Sequence, residues 1–302
     1  MTDLAVLFEH PVWFKALFAA LDRRGLDWRQ IPIQDHVFDP GEARAPARVI
    51  FNRLAMSSLV RQEEHGLFHS LAALAHWEEG GARVINGACP LAYDLSKARQ
   101  LSLFRRAGLD IPRTRVAHRR ADVAGLAAEI GYPVMVKANI GGSGAGIVRC
   151  ETPAELDAVD IPMGVDGVVL VQESVPARDG RVFRCELLAG RLLYAIALDG
   201  AGQSFDLCPA DVCLADKPTI TVSAFHPPTD IVQSIERVGA MAGLDVGGIE
   251  YMIDDRDGRA RFFDFNAMSN FVANPMDVLG FDPHDNLVAF IVREIAAAKV
   301  PA

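Results

Sequence analysis

The chain has 302 residues, of which 50% are hydrophobic and 23% are charged, so it can bury a sizeable core in two or three compact lobes. Its formal net charge of −9 argues against nucleic acid as a general partner, although a local patch can still bind a small anion. No stretch approaches the ~20 apolar residues that cross a bilayer, and the opening MTDLAVLFEHPVW lacks the basic segment of a signal peptide.

The cysteines are odd in number and none has C-x-x-C spacing, which favours reduced thiols and a cytoplasmic location. Cys208 and Cys213 are near enough in sequence to meet, but separate buried thiols are the favoured interpretation. Lysine is rare against an arginine-rich background, so a lysine inside a motif is more notable than usual. The lysines are Lys15, Lys97, Lys137, Lys217 and Lys299.

The first elements predict a small parallel α/β lobe over residues 1–92. Apolar strands at 4–8, 47–53 and 82–87 alternate with helical stretches, one of which covers 11–25. Ligand-facing side chains of such a lobe lie beyond the carboxyl ends of its strands. The residues in those places are His10, Asn52, Arg53 and Asn86.

The next two segments predict α+β lobes, a central one at 93–175 and a C-terminal one at 176–302. In the central lobe, two helices precede a strand–loop–strand unit and a further strand at 166–176. The C-terminal lobe begins with a hairpin that turns at Ala189-Gly190. A helix, a second hairpin around DRDG and a last helix at about 285–299 complete it.

A glycine-rich loop, Gly141–Gly146, lies inside YPVMVKANIGGSGAGIVRC and is typical of phosphate binding. It matches neither G-x-x-x-x-G-K-[ST] nor the G-x-G-x-x-G spacing between a strand and a helix. The residues IVRC that follow are strand-like, so the glycines are predicted to join two strands. Such a loop binds phosphate through backbone N–H groups as a mobile lid, helped by Lys137 on the preceding strand. The alternative is an ordinary glycine-rich hairpin with a chance lysine.

The hairpin at 248–266 can supply oxygen ligands for Mg²⁺. Side chains two apart share a strand face, so Asp264 and Asn266 point the same way, and Phe263 and Phe265 point to the opposite, buried side. If Glu250 lies on the same face as Asp264 and Asn266, the three side chains offer two carboxylates and an amide, a set that suits a Mg²⁺ ion held between two phosphates. The alternative is a solvated face of an antiparallel sheet.

The register of this hairpin decides whether Glu250 joins the set. A five-residue turn over Asp255–Arg259 pairs Asp254 with Ala260 and therefore Glu250 with Asp264. A turn of four residues shifts the register and puts the two carboxylates on opposite faces.

In this order, the motifs resemble the ATP-grasp superfamily, specifically carboxylate–amine ligases related to ribosomal-protein glutamate ligases, glutathione synthetases and D-alanine–D-alanine ligases. The resemblance covers most of residues 80–290 and implies a pre-ATP-grasp α/β lobe plus two α+β lobes that clamp ATP. It gives phosphate contacts to Lys97 and Lys137, metal contacts to Glu250, Asp264 and Asn266, and an adenine contact to the hinge VLVQES. The implied nucleotide-binding residues are Lys97, Lys137, Gly141, Gly142, Ser143, Gly144, Gly146, Gln172, Glu173, Ser174 and Val175.

The resemblance is incomplete around the C-terminal hairpin. Where glutamate ligases have an acidic-Ile-Arg string, this chain has VFR, which keeps Arg184 as a contact for the γ-phosphate or the acyl group but replaces the acidic residue with Val182. Their following Arg/Asn segment is absent, and GQSFDLCPADVC stands there. Glutamate as the carboxylate substrate is therefore not implied.

The chemistry that the resemblance implies is ATP-dependent amide formation. A small-molecule carboxylate attacks the γ-phosphate of ATP, and an amine then displaces phosphate from the acyl phosphate. Lys97, Lys137 and Arg184 stabilise the phosphoryl charge together with a pair of Mg²⁺ ions, which Mn²⁺ can replace. Thioester formation, small-molecule phosphorylation and nucleotide binding without turnover stay open, as does a homo-oligomer.

Substrate contacts are assigned only as candidates. They are His10, Asn52, Arg53, His226, Ser269 and Asn270. His65, His69 and His76 share one helical face, but a solvated surface explains them better than zinc does.

Overall fold

The computed structural model describes residues 2–10, 12–42, 44–61, 66–142, 144, 146–200 and 220–298. Ser143, His65 and the segment 202–213 with Cys208 and Cys213 lie outside these residues. Among the described helices, none has the length and apolar character that a membrane crossing requires.

Three sheets organise the described residues. The strands are β1 Leu4–Phe8, β2 Trp28–Pro32, β3 Val49–Arg53, β4 Arg83–Ile85, β5 Thr114–Ala117, β6 Val134–Ala138, β7 Ile147–Cys150, β8 Val169–Glu173, β9 Ala177–Leu188, β10 Arg191–Asp199, β11 Thr221–Phe225, β12 Val246–Asp254 and β13 Ala260–Asn266. The helices are α1 Lys15–Arg23, α2 Ser58–Arg61, α3 Gly66–Glu79, α4 Ala88–Asp94, α5 Lys97–Arg106, α6 Val123–Ile130, α7 Pro153–Ala158, α8 Thr229–Ala242, α9 Pro275–Val278 and α10 Pro283–Ala297.

The N-terminal sheet is parallel, as predicted, with the strand order β2-β1-β3-β4. β1 and β3 are buried along their whole length because α1 and α10 cover one face of the sheet and α3 covers the other. The edge strand β2 was not predicted, since WRQIP is largely exposed and carries little apolar signal.

The central sheet has the order β5-β8-β6-β7 and only antiparallel pairs. Its core is formed by Val134, Val136, Val169 and Val171 together with α6 and α7. The domain boundaries at 92/93 and 175/176 stay predictions, although β8 ends and β9 begins on either side of the second one.

The C-terminal sheet has the order β11-β10-β9-β12-β13, all antiparallel. As predicted, β9 and β10 are joined by a turn at Ala189-Gly190. Both turn residues have positive φ. Alternation along β9 gives the sheet two different faces. Phe183, Cys185 and Leu187 pack on α5 and α8, whereas Val182 and Leu188 join the core of the N-terminal lobe.

Two polar links fasten the N-terminal lobe to the C-terminal sheet. Arg83 donates to Asp245 and Glu294, both at 2.5 Å. Asn86 donates to Val246 O and Ala267 O and accepts from the amides of Asp245 and Val246. Asn86, which the sequence analysis placed in the cleft, is therefore a structural link between the lobes, not a free ligand-facing side chain.

Candidate active site

Three neighbouring strands place six residues in two rows on one sheet face. The first row is Arg184, Glu250 and Asp264, because β12 pairs Glu250 with both of the others. The second row is Glu186, Gly248 and Asn266. Glu250, Asp264 and Asn266 therefore share one face, which is the arrangement predicted for a metal site.

The hairpin reaches this register by a route that the sequence analysis did not foresee. At the tip, Ile253 pairs with Ala260, and the Asp254 amide donates to Arg259 O. The turn therefore has four residues, and the predicted pairing of Asp254 with Ala260 is wrong. A β-bulge between Phe262 and Asp264 then restores the opposition of Glu250 and Asp264.

The same bulge corrects the predicted position of Phe263. Phe262 and Phe265 are the buried pair, at 2% and 0% exposed, and both pack in the core under α5. Phe263 lies instead on the side of the lysines, with its ring centroid 5.9 Å from the Lys137 Nζ.

The two motif lysines approach this face from the central lobe and from α5. Lys97 is the first residue of α5, behind the N-cap Ser96, and its Nζ donates to Asp264 Oδ1 at 2.8 Å. Lys137 on β6 donates to Gln172 Oε1 at 2.7 Å. Asn139 ties the two segments together, because its side-chain oxygen accepts from Ser96 and its backbone oxygen accepts from the Lys97 amide.

Burial and neighbouring charges shift the pKa values of the two lysines in opposite directions, and those of the two carboxylates likewise. Burial, aided by Lys97, lowers the pKa of Lys137 to about 8. Burial also acts against the charge of Lys97, but the carboxylates of Asp264, Asp94 and Glu250 together outweigh it and raise the pKa of Lys97. Burial alone would raise the pKa of the Asp264 carboxyl, yet Lys97 holds that pKa below the ordinary value. Burial, opposed by Arg184 and aided by Asp264, raises the pKa of Glu250 to about 7.

Arg184 is the cation at the centre of the face. Its guanidinium donates to Glu186 and Glu250, both at 2.6 Å, and to Ser269 Oγ at 2.9 Å. Although burial works against the charge, the two carboxylates raise the pKa of Arg184 above its ordinary value. The side chain needs the space over Gly248, since a Cβ there would lie 2.6 Å from Arg184 Nη2.

The glycine loop joins β6 to the antiparallel β7, which confirms the predicted strand–strand connection. Gly144 and Gly146 have φ of 72° and 69°, and Gly141 and Gly142 are partly exposed. Gly142 packs closely on the N-terminal lobe, where a Cβ would lie 2.9 Å from the Ser57 amide. The start of the loop therefore lies against the N-terminal lobe at Gly142.

The predicted adenine hinge comprises the last two residues of β8, Gln172 and Glu173, and the two residues that follow it. Gln172 accepts from Lys137 and donates to Thr114, so it links the lysine to the hinge. The Glu173 carboxylate accepts from the Arg113 side chain and backbone amide and from Arg256, which together lower its pKa against burial. The carboxylate of Glu173 is therefore engaged by arginines, and partly exposed Ser174 and Val175 complete the hinge.

The substrate candidates divide into two groups. Arg53 donates to Ser269 O at 2.5 Å, and Asn270 O accepts from Ser269 Oγ. These three residues therefore lie together, and Ser269 Oγ also accepts from Arg184. Asn52 donates to Asn86 O and accepts from the Leu54 amide, which gives it a structural role rather than the predicted contact. His226 is exposed beyond β11, and His10 stacks on Trp13 with ring centroids 4.9 Å apart.

Two acidic residues near the site were missed. Glu186 follows Arg184 by two positions in the VFRCELL half of β9, a spacing that places both on one face. Asp94 accepts from the amides of Ala267 and Met268, just after Asn266, and burial with Asp264 nearby raises its pKa to about 7. Its position three residues before Lys97 was the available signal.

The donor set fits Mg²⁺ better than a softer metal. Glu250, Asp264 and Asn266 offer carboxylate and amide oxygens, the ligands that Mg²⁺ prefers. Within the described part of the chain, no group of three or more His, Cys, Asp or Glu residues is placed to hold a metal. Because the third oxygen here belongs to an asparagine, this set is compatible with that finding. Of the histidines that the sequence analysis explained as a solvated surface, His69 contacts His36 at 3.0 Å.

Comparisons with known proteins show what parts of this chain resemble. Residues 94–204 match the model of the RimK-like ATP-grasp domain. A probable alpha-L-glutamate ligase from Teredinibacter turnerae is 31% identical over 46% of this chain and 46% of its own length. A ribosomal protein bS6–L-glutamate ligase from Escherichia fergusonii is 33% identical over 43% of this chain and 44% of its own length. The chain thus spans about half the length of these curated relatives.

Solved structures resemble nearly the whole chain. D-cycloserine synthetase DcsG has a TM-score of 0.70 at 16% identity and covers 98% of this chain and 100% of its own. The ATP-grasp ligase PsnB, in a complex with a minimal precursor, Mg and ADP, has a TM-score of 0.68 at 19% identity, over 98% of both chains. At these identities the likeness establishes the fold. The chain therefore has the fold of these ATP-grasp ligases, and its residues 94–204 match the RimK-like ATP-grasp domain.

Proposed function

We propose that this chain is an ADP-forming ligase that joins a carboxylate to an amine. The observation that carries the proposal is the opposition of Lys97 and Lys137 to the oxygen face of Glu250, Asp264 and Asn266, with Lys97 Nζ 2.8 Å from Asp264. This arrangement suits the polyphosphate of ATP, because two cations and a metal-binding face can surround it. The names of the relatives, which are glutamate ligases, support the same reaction class.

The reaction has two group transfers. An oxygen of the substrate carboxylate attacks the γ-phosphorus, the bond from that phosphorus to the β–γ bridging oxygen breaks, and ADP leaves. The amine nitrogen then attacks the acyl carbon, phosphate leaves with the bonding pair, and the nitrogen loses a proton to solvent.

The protein contributes charge stabilisation to both transfers. Lys97 and Lys137 face the transferred phosphoryl group, and Arg184 faces the acyl oxygen, where negative charge develops. Glu250, Asp264 and Asn266 would hold Mg²⁺, which supplies charge neutralisation on the phosphates. This mechanism needs no covalent nucleophile from the protein.

The lid and the hinge complete the nucleotide site. Backbone N–H groups of Gly141, Gly142, Gly144 and Gly146, with Ser143, cover the phosphates, and the segment 172–175 contacts adenine. The proposed substrates are a small carboxylate and a small amine. The site and the free thiols of Cys89, Cys150 and Cys185 are consistent with a cytoplasmic protein.

A substrate matrix tests this function. Purified protein, ATP and Mg²⁺ are mixed with pairs drawn from amino acids, dipeptides, organic acids and a peptide that ends in glutamate, and ADP release is followed. We expect ADP and phosphate in equal amounts, with a product mass equal to the two substrates minus water. ADP with a stable phosphorylated product would identify a kinase, and ATP binding without ADP for any pair would indicate a non-catalytic protein.

A further inference from the structure

Two buried charged side chains at the substrate end of the cleft keep polar atoms unused. Arg53 is 4% exposed and Glu186 is 0% exposed. Within the described part of the chain, Arg53 Nε, Arg53 Nη1 and Glu186 Oε2 have no hydrogen-bond partner. Buried charges are almost always paired, because a charge without a partner is costly to remove from water. These atoms are therefore candidates for contacts with a ligand.

The two side chains are neighbours but do not neutralise each other directly. Arg53 Nη2 donates to Ser269 O at 2.5 Å, and Ser269 Oγ donates to Glu186 Oε1 at 2.6 Å. No ion pair between Arg53 and Glu186 occurs among the described residues, although the Glu186 carboxylate raises the pKa of Arg53 against the stronger lowering by burial. Arg53 and Glu186 thus lie on either side of one serine. Glu186 Oε1 already accepts from Arg184 at 2.6 Å, and Oε2 is the oxygen left without a hydrogen-bond partner among the described residues.

The two groups come from different lobes. Arg53 ends the parallel strand β3, where α/β sheets bind their ligands, and its guanidinium stacks over the rings of Phe14 and Phe51 at 5.1 Å. Glu186 lies on the polar face of β9, beside Arg184. A ligand that contacts both residues would lie across the cleft, next to the cation assigned to the acyl group.

We propose that Arg53 and Glu186 bind the head group of a free α-amino acid, which rests on the proposed function because the amino acid would be one of the two ligase substrates. The carboxylate accepts from Arg53 Nε and Nη1, and the ammonium donates to Glu186 Oε2. A dicarboxylic acid without an amine would bring an anion against Glu186. A simple amine would leave Arg53 without an anion. Only a ligand with both charges pairs both groups.

Ligand binding tests this subsite without any turnover. The standard amino acids, in L and D form, are titrated in turn into protein with AMP-PNP and Mg²⁺ and followed by calorimetry. For the tightest amino acid, its N-acetyl and carboxamide analogues should each bind roughly tenfold or more weakly, because a buried partner is then left unpaired. In Glu186→Gln the penalty for N-acetylation should shrink, and in Arg53→Gln the penalty for the carboxamide should shrink.

The exposed ion pair of Arg115 and Glu129 provides matched controls. Arg115→Gln and Glu129→Gln remove the same charges elsewhere and should leave both penalties unchanged. AMP-PNP binding verifies that each variant is folded, and if Arg53→Gln does not fold, Glu186→Gln still decides through the penalty for N-acetylation. The proposal would be overturned if no amino acid bound, or if the tightest amino acid and its two analogues bound equally well. Buried water would then be the expected partner of these atoms.

This test separates the subsite from the proposed function. Wild-type protein that binds an amino acid but never releases ADP would contradict the ligase and keep the subsite. Protein that releases ADP with organic acids and simple amines, but binds no amino acid, would contradict the subsite alone.

Discussion

The two ends of the cleft differ in how their charges are paired. At the proposed metal end, Lys97 pairs with Asp264 at 2.8 Å, and Arg184 pairs with Glu250 at 2.6 Å. At the proposed substrate end, Glu186 also pairs with Arg184 at 2.6 Å, but Arg53 and Glu186 are buried with atoms that have no hydrogen-bond partner among the described residues. A ligand at the metal end must displace partners that already exist, whereas a ligand at the substrate end supplies partners that are missing. We therefore expect charge removal to affect catalysis at the first end and binding selectivity at the second.

The largest effect is expected from Asp264→Asn. The substitution keeps the shape of the side chain but removes the anion that pairs with Lys97 and belongs to the metal set. ADP formation should fall by about 10²–10³-fold, the usual cost of losing one electrostatic contact in a transition state. Asp255→Asn, at an exposed turn position of the same hairpin, is the control and should keep wild-type rates. Equal rates for Asp264→Asn and wild type would exclude this carboxylate from the site.

The pH dependence of nucleotide binding tests the other lysine. Because the pKa of Lys137 is lowered to about 8, the side chain is cationic below that pH and neutral above it. The dissociation constant for ATP should be level below about pH 7 and rise by about tenfold per unit above pH 8. Calorimetry between pH 6.5 and 9.5 measures this, and proton uptake on binding should appear above pH 8.

Lys137→Arg is the matched variant for this profile. A guanidinium keeps its charge throughout the range, so the rise above pH 8 should disappear. A profile that is flat in the wild type, or that is the same in both proteins, would mean that Lys137 does not meet the nucleotide.

A smaller effect is expected at Gly248, between the two ends. In Gly248→Ala, the new Cβ would lie 2.6 Å from Arg184 Nη2, so the guanidinium must move away from Glu186 and Glu250. Stability should fall by about 1–3 kcal/mol, as for other overpacked sites, and ADP formation should fall with it. Gly125→Ala on α6 has open space and should gain about 0.5–1 kcal/mol. Denaturant unfolding compares them, and an unchanged Gly248→Ala would refute the close contact.

The smallest effect is expected from two helix N-caps. Ser96 caps α5 and also donates to Asn139, whereas Thr152 caps α7 without contacting the site. Each alanine variant should lose about 1 kcal/mol of stability. Only Ser96→Ala should also weaken ATP binding, because Ser96 helps to place Lys97. If both variants bind ATP equally well, the link through Asn139 does not matter for the lysine.

The sequence was informative wherever local pattern decides structure. The parallel N-terminal lobe, the strand–strand glycine loop and the opposition of Glu250 and Asp264 were predicted and are confirmed. The opposition was reached with the wrong turn, because a β-bulge at Phe263 adds one residue that strand periodicity does not reveal.

Contacts between lobes could not be predicted from the sequence. Asn52 and Asn86 have the polarity and position of cleft residues, yet both are used to join chain segments. Glu186 was missed although its spacing from Arg184 placed both on one strand face, because the carboxylate oxygen that has no hydrogen-bond partner among the described residues is seen only in the folded chain. Long-range packing decides these roles.

A crystal structure with AMP-PNP and Mg²⁺ tests the central claim most directly. The account predicts the triphosphate between Lys97 and Lys137, metal density bonded to Glu250, Asp264 and Asn266, and the Lys97–Asp264 ion pair opened in favour of phosphate. A triphosphate bound away from both lysines, or a metal that contacts none of these three oxygens, would contradict it.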